Sequence, residues 1–297
     1  MKTDSTHKSG FVTIIGKPNV GKSTLINRFL KQPLSIISPK KQTTRHRILG
    51  ILNDDAYQII FSDTPGLISP EYKLHEHMMS FTKEVLEDSD VLVLVISCGD
   101  LEEHKSLFLE KLQKITVPLL LVINKIDLSN QKELETIMNQ CEKILPNAKV
   151  YPISALNGIH IDELLNIIID LLPLSPPYFP KDQLTDRSER FFVNEIIRKN
   201  ILNHYQKEIP YAAEVKTHQF EKESRLIRIH SDIYVERESQ KGILIGHQGQ
   251  ALKTLGMSSR RELESFFEKK IFLKLRIKVA KNWRKDSKML KRFGYTS

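Results

Sequence analysis

Val91–Ile96 and Leu119–Ile123 are uninterrupted apolar runs of strand length. Such runs belong to strands covered on both faces, as in a parallel sheet with helices above and below it. Strand-like and helix-like segments alternate around them. Phe11–Ile15 ends at Gly16, Ser23–Lys31 has helical apolar spacing, and Val150–Ile153 is a shorter apolar run. Ile48–Leu52 and Tyr57–Phe61 are joined only by Asn53–Asp55, too short for a crossover, so they must pair antiparallel. Helices are expected near 75–88, 102–114, 130–145 and 161–172. Residues 1–172 are therefore expected to form a doubly wound α/β domain, a mostly parallel six-stranded sheet with one antiparallel edge strand.

The alternation breaks at Pro173-Leu174-Ser175-Pro176-Pro177-Tyr178-Phe179-Pro180, where prolines favour an extended connection. A linker is expected over 173–182 and a second domain over 183–297. That half reads as a helix over Arg187–Tyr205, strands over Tyr211–Phe220 and Leu226–Val235, a Gly-rich turn at 242–249, a helix near 250–268 and a strand over Ile271–Val279. The last strand alternates strictly, with Ile271, Leu273, Leu275, Ile277 and Val279 on one face. The order α-β-β-α-α-β describes a small α+β domain.

Charge divides at the same place. Residues 1–180 carry net −2 and residues 181–297 net +11, together +9. A basic half on a neutral one predicts a polyanionic partner, with nucleic acid the default. Two cysteines, Cys98 and Cys141, exclude a disulfide scaffold and a Cys-based zinc site, and fit a reducing compartment. No apolar run is long enough to span a bilayer. The ends carry no signal-peptide or lipidation pattern, so a cytoplasmic protein is expected.

Gly16-Lys17-Pro18-Asn19-Val20-Gly21-Lys22-Ser23 fits G-x-x-x-x-G-K-[ST] between a strand and a helix, the context a phosphate-binding loop needs. Its N–H groups and the helix N-terminus would cradle phosphate oxygens, Lys22 would reach the terminal phosphates, and the Ser23 hydroxyl would ligate Mg²⁺. Asp63-Thr64-Pro65-Gly66, after the second antiparallel strand, supplies a carboxylate for Mg²⁺ and a glycine N–H for a γ-phosphate. Gln42-Thr43-Thr44-Arg45 lies in the loop before, and Thr44 is expected to complete the magnesium shell. Asn124-Lys125-Ile126-Asp127 follows a strand's C-terminal end, where open α/β sheets bind ligands. The Asp127 carboxylate can accept from guanine N1–H and N2–H₂, donors adenine lacks, so GTP should be selected over ATP. Asn124 is expected to touch the base edge and brace the loop, and the Lys125 stem to cover the ring. Ser154-Ala155, after the last strand, would offer a backbone N–H to guanine O6.

In the basic half, Gly246-His247-Gln248-Gly249 is a G-x-x-G loop between helical stretches. Such loops clamp about four nucleotides of single strand. Flanking residues 242–245 and 251–255, Lys253 among them, are expected to form the groove. Residues 274–297 add nine Lys/Arg, among them Lys274, Arg276, Lys278, Arg284 and Lys285, against one acid, Asp286. Trp283 in their midst either stacks on a base or packs inside. His46, His75 and His77 flank the mobile-loop candidates and are expected to be solvated.

These motifs, in this order, resemble the translation-factor-related GTPases. Gly16–Ser23 together with Gln42-Thr43-Thr44-Arg45-His46-Arg47 is similar to the Era family over nearly the whole chain. The resemblance implies a P-loop GTPase domain followed by a type II KH domain. It also implies Mg²⁺ as cofactor and binding to 16S ribosomal RNA near its 3′ end in small-subunit assembly. A peripheral membrane-associated fraction is implied too, and a monomer is expected. Position 67, often a water-orienting Gln in small GTPases, is Leu67, so hydrolysis should be slow and no general base is assigned. Asn19 matches a position that holds K⁺ in related enzymes. Loops 32–47 and 64–80 would be ordered by a γ-phosphate and Mg²⁺.

Overall fold

The computed structural model describes residues 6–38, 40, 42–67, 70–98 and 116–295, so the helix expected over 102–114 lies outside the described residues. The chain forms two compact units. One comprises 1–35, 44–69 and 78–186; the other comprises 36–43, 70–77 and 187–297.

The first unit holds the predicted six-stranded sheet, in the order β2-β3-β1-β4-β5-β6. The strands are β1 (Lys8–Ile15), β2 (Ile48–Asn53), β3 (Tyr57–Asp63), β4 (Val91–Ser97), β5 (Leu119–Asn124) and β6 (Lys149–Pro152). Among the described strands of this sheet, β2–β3 is the one antiparallel pair. β4 is buried at every position, as its unbroken apolar run requires. Helices α1 (Lys22–Leu30), α2 (Lys73–Glu87) and α3 (Gln131–Ile144) lie between strands, and α4 (Ile161–Leu171) follows β6. Because α2 begins at residue 73, the loop expected to run to residue 80 is helical over its second half.

Residues 173–186 do not stand free as a linker. They lie along the open edge of β2 and the start of β1, where unpaired backbone groups invite a partner. Ser9 N–H donates to the Pro173 carbonyl (3.2 Å), and Ile51 N–H to the Leu184 carbonyl (2.9 Å). The buried Gln58 amide accepts from the Tyr178 and Phe179 N–H groups and donates back to the Phe179 carbonyl.

The second unit carries β7 (Glu214–Lys222), β8 (Leu226–Val235) and β9 (Lys270–Val279). β8 pairs antiparallel with β7 and parallel with β9, which leaves β9 at an edge. Helices α5 (Glu189–His204) and α8 (Gln250–Phe267) cover one face, enclosing Val193, Ile197, Ile201, Ile229, Ile233, Leu255 and Leu263. Two expectations need correction. The strand read from Tyr211 starts at Glu214, because Pro210 sits in the first turn of a short helix α6 (Ile209–Ala212), where its fixed φ and missing N–H cost nothing. The turn read at 242–249 is narrower, because α7 (Glu238–Ile245) runs through Gly242. Of the two alternatives for Trp283, the structure shows packing: it is fully buried, donates Nε1–H to the Ala212 carbonyl (2.8 Å) and meets Phe293 of α9 (Ser287–Phe293) edge to face.

Candidate nucleotide site and nucleic-acid interface

β1 delivers the chain into the loop 16–21, and α1 begins at Lys22 with no side-chain cap. Its first N–H groups are therefore not taken by a capping side chain, which suits an anion. Gly21 is required: its φ is +102°, and a Cβ there would stand 2.1 Å from Asn124 Nδ2. Lys22 is buried and donates to the carbonyls of Gly16 (3.0 Å) and Lys17 (2.9 Å). Burial lowers its pKa to about 8, opposed by Asp63. Burial likewise raises the Asp63 carboxyl, opposed among others by Lys22 and the Ser23 and Thr44 hydroxyls. Pro18 lies against Gly66, and Leu67 N–H donates to the Gly16 carbonyl (3.1 Å). Thr64 is buried with its hydroxyl on the Ile14 carbonyl (2.9 Å), ahead of Pro65. Val20 is buried, while Asn19 is exposed with φ +67°.

The three residues expected to hold magnesium come together. Ser23 Oγ–H donates to Asp63 Oδ2 (2.9 Å), and Thr44 Oγ lies 3.1 Å from Ser23 Oγ and 3.4 Å from Asp63 Oδ2. Asp63 Oδ1 is buried without a hydrogen-bond partner. Hard oxygen donors with one orphaned carboxylate oxygen fit Mg²⁺.

The guanine-end residues also converge. Asp127 accepts from the Ser154 hydroxyl, and Lys125 adopts a left-handed φ of +66° ahead of a 3₁₀ turn through Ile126. Asn124 is used at both amide ends: Nδ2 donates to the Val20 carbonyl (2.8 Å) and Oδ1 accepts from Ala155 N–H (2.9 Å). It thus clamps the phosphate loop to the 154–155 loop, and the Ala155 N–H expected at guanine O6 is held by Asn124. Sequence reasoning missed Arg28 of α1, which donates from Nε to the Ala155 carbonyl (3.0 Å) and from Nη2 to the Leu156 carbonyl. Nothing local marks that contact, because its partners lie 127 and 128 residues away.

His46 and His75 are buried rather than solvated, and Arg45 is fully buried. The Gln42 amide meets His75 Nε2 at 2.9 Å, and Thr43 Oγ donates to the Lys40 carbonyl (2.6 Å). Within the second unit, Arg198 donates to the carbonyls of Gln42 and Thr43 and pairs with Glu195, both side chains being buried. No sequence signal singled out this pair.

The G-x-x-G loop sits between α7 and α8 with His247 and Gln248 exposed. Gly246 has φ +70°, and a Cβ there would lie 2.6 Å from Ala251 Cβ. Beside Gly249 a groove of ≈ 410 Å³ is lined by Leu252, Lys253, Gly256, Met257, Arg260, Leu273 and Leu275. Leu244 and Leu255, expected in the groove, are core residues instead. The basic residues assigned to RNA divide. Lys274, Arg276 and Lys278 alternate with Leu273, Leu275 and Ile277, so they point to the sheet face away from the groove. Lys278 pairs with Asp232 at 2.7 Å. Arg284 is not an open phosphate contact: it pairs with Glu236 and stacks over the Tyr72 ring, 4.8 Å from its centroid. Lys285 is exposed.

Residues 11–125 match the family model described as a 50S ribosome-binding GTPase, and residues 208–284 match a KH domain model. Fold and site thus define a P-loop GTPase joined to a KH domain. Two solved structures match 98% of the chain over their full length at 37% identity. One is a single-residue variant of Aquifex aeolicus Era bound to GDP·AlF4⁻ (TM-score 0.91). The other is Era with MgGDPNP and nucleotides 1506–1542 of 16S ribosomal RNA (TM-score 0.92). The chain belongs to the Era family.

Proposed function

We propose that this protein is a slow GTPase switch that binds the 3′ region of 16S ribosomal RNA and acts in assembly of the small ribosomal subunit. The observation that carries this is the Asn124 clamp, which ties a complete phosphate loop to Asp127 and the 154–155 loop. Asp127 selects guanine, while the loop amides and Lys22 bind phosphate and stabilise charge developing on it. Mg²⁺, held by Ser23 and Thr44 and through water by Asp63, would neutralise phosphate charge when bound. Leu67 cannot orient a water through its side chain, so turnover is slow. The GTPase model's description names the 50S subunit, whereas the Era complex that matches 98% of this chain contains 16S RNA. The match that includes the KH half favours the small subunit. Titration with GTP, GDP and ATP under Mg²⁺, then with 16S 3′-end RNA, tests the reading; equal affinity for ATP and GTP overturns it.

The switch is read out through segments 36–43 and 70–77, which pack with the C-terminal unit while Thr44 lies in the other. γ-Phosphate ordering these loops alters the RNA-binding half. Equal RNA affinity with GDP and with a non-hydrolysable GTP analogue refutes this coupling. Asn19, exposed on the loop, is the residue to take K⁺, which a comparison of turnover in potassium and sodium tests. The +11 charge of residues 181–297 supports a peripheral membrane fraction of a cytoplasmic monomer, tested by sedimentation with anionic vesicles. Among the described residues no helix is long and apolar enough to cross a membrane.

A further inference from the structure

The three-stranded sheet has two faces, and only one carries α5 and α8. On the other, α9 reaches the far end through the Tyr234–Phe293 contact (5.1 Å). Among the described residues nothing comparable covers the near end, around Arg228, His230, Phe272, Lys274 and Arg276. Phe272 is 46% exposed. The Arg228 guanidinium lies 5.5 Å from its ring centroid, and the His230 ring lies 6.0 Å away. Lys274 faces His230 across the β8–β9 pairing, with Arg276 two residues on. Desolvation, then Lys274, His218 and Arg276, hold the His230 imidazolium below its usual range, with Glu221 opposing. The cations Lys274 and Arg276 thus act on this ring beside desolvation.

We infer that this uncovered half-face is a second contact surface for single-stranded RNA, in which Phe272 stacks on a base while Lys274 and Arg276 meet phosphates. The inference rests on the RNA reading of the G-x-x-G groove above. Three features favour this occupant. A half-exposed aromatic among cations is the arrangement that binds unpaired bases, whereas a duplex offers no free base face. β9 is an edge strand whose alternate residues serve both surfaces: Leu273 and Leu275 line the groove, while Phe272, Lys274 and Arg276 line the open face. A strand leaving the groove therefore crosses one strand edge to reach Phe272. Finally, among the described residues Lys274 and Arg276 pair with no acid, whereas Lys278 is held by Asp232.

The test uses the full chain and two RNAs copying the 3′ end of 16S RNA. One is about four nucleotides, the length a G-x-x-G groove clamps, and the other is about twelve. Phe272→Ala should weaken the twelve-nucleotide RNA about ten-fold and leave the four-nucleotide RNA unchanged, and Phe272→Tyr should retain binding. Lys274→Gln with Arg276→Gln should flatten the salt dependence of the longer RNA by about 1.4 in log–log slope, two phosphates' worth for a single strand. Thermal unfolding of each variant reports whether the fold is kept, and the Tyr variant keeps the proposal testable should the Ala variant unfold. Unchanged affinity for the longer RNA overturns the inference, as does an equal loss on both RNAs. Loss of binding to phosphatidylglycerol vesicles with RNA binding intact also overturns it and assigns the face to lipid. Failure of the unaltered chain to bind either RNA instead refutes the RNA reading itself.

Discussion

Asn124→Ala isolates the clamp between the two halves of the nucleotide site. Asn124 is 3% exposed, and its amide satisfies the Val20 carbonyl and the Ala155 N–H. Truncation leaves both backbone groups without that partner, and each buried polar group so abandoned costs about 1–3 kcal/mol. The total, about 2–6 kcal/mol, is divided between two observables. The loops flank a ligand site, so in the free protein they can part and hydrate, which recovers much of the loss. Nucleotide binding must then draw them back together. If about 3 kcal/mol is deferred in this way, nucleotide affinity falls by roughly 100-fold.

Calorimetric titration with GDP and urea unfolding of the same variant separate the two. The expected result is a large affinity loss with a smaller stability loss. Asn124→Asp sharpens the test: its carboxylate still accepts from Ala155 N–H but places a charge against the Val20 carbonyl, so it should not restore binding. A GDP affinity within about two-fold of the original, with the whole loss of about 2–6 kcal/mol appearing in the unfolding free energy, would refute the reasoning and make Asn124 a purely structural brace.

Asp127→Asn exchanges one acceptor for a donor. GTP affinity should fall at least about 100-fold, while xanthosine triphosphate, which carries a carbonyl where guanine has its amino group, should bind better than GTP in a competition titration. Arg198→Ala leaves the buried Glu195 carboxylate unpaired, and urea unfolding should show about 3–5 kcal/mol lost. Arg198→Met with Glu195→Gln should recover most of it; no recovery would show that the carbonyl contacts at 42 and 43 dominate. In Lys274→Gln with Arg276→Gln, two of the charges that hold the His230 imidazolium down are removed, so its pKa should rise towards the usual histidine value in an NMR titration. Cys141, 2% exposed and with its thiol raised to about 11 by burial, should resist a thiol reagent at neutral pH until the protein is unfolded.

What sequence alone could convey follows from how locally each feature is determined. The phosphate loop and the Asn124–Asp127 run sit at strand ends, where the backbone path is set by a few residues. Their types therefore announced the geometry that the Ser23–Asp63 and Asp127–Ser154 contacts display. The alternation of β9 was equally visible, because a strand's period is two. The alternation does not say which face the helices cover, because that depends on where α8 packs, so the sequence does not show that Lys274 and Arg276 lie on the face away from the groove. His46 and His75 carry polar rings that suggest solvent, yet both are buried; Trp283, open to stacking or packing, is held inside by the Ala212 carbonyl on its indole N–H. Arg198 is the sharpest case. On its own helix it is one more basic residue, and only the fold brings segment 36–43 against it. Once there, its five donors suit two main-chain carbonyls and a carboxylate better than a lysine ammonium would. Charge counted along a chain predicts what kind of partner it meets. Burial separates the roles: Arg198 and Arg284 are engaged within the protein by Glu195 and Glu236, whereas Arg260 lines the groove beside Gly249.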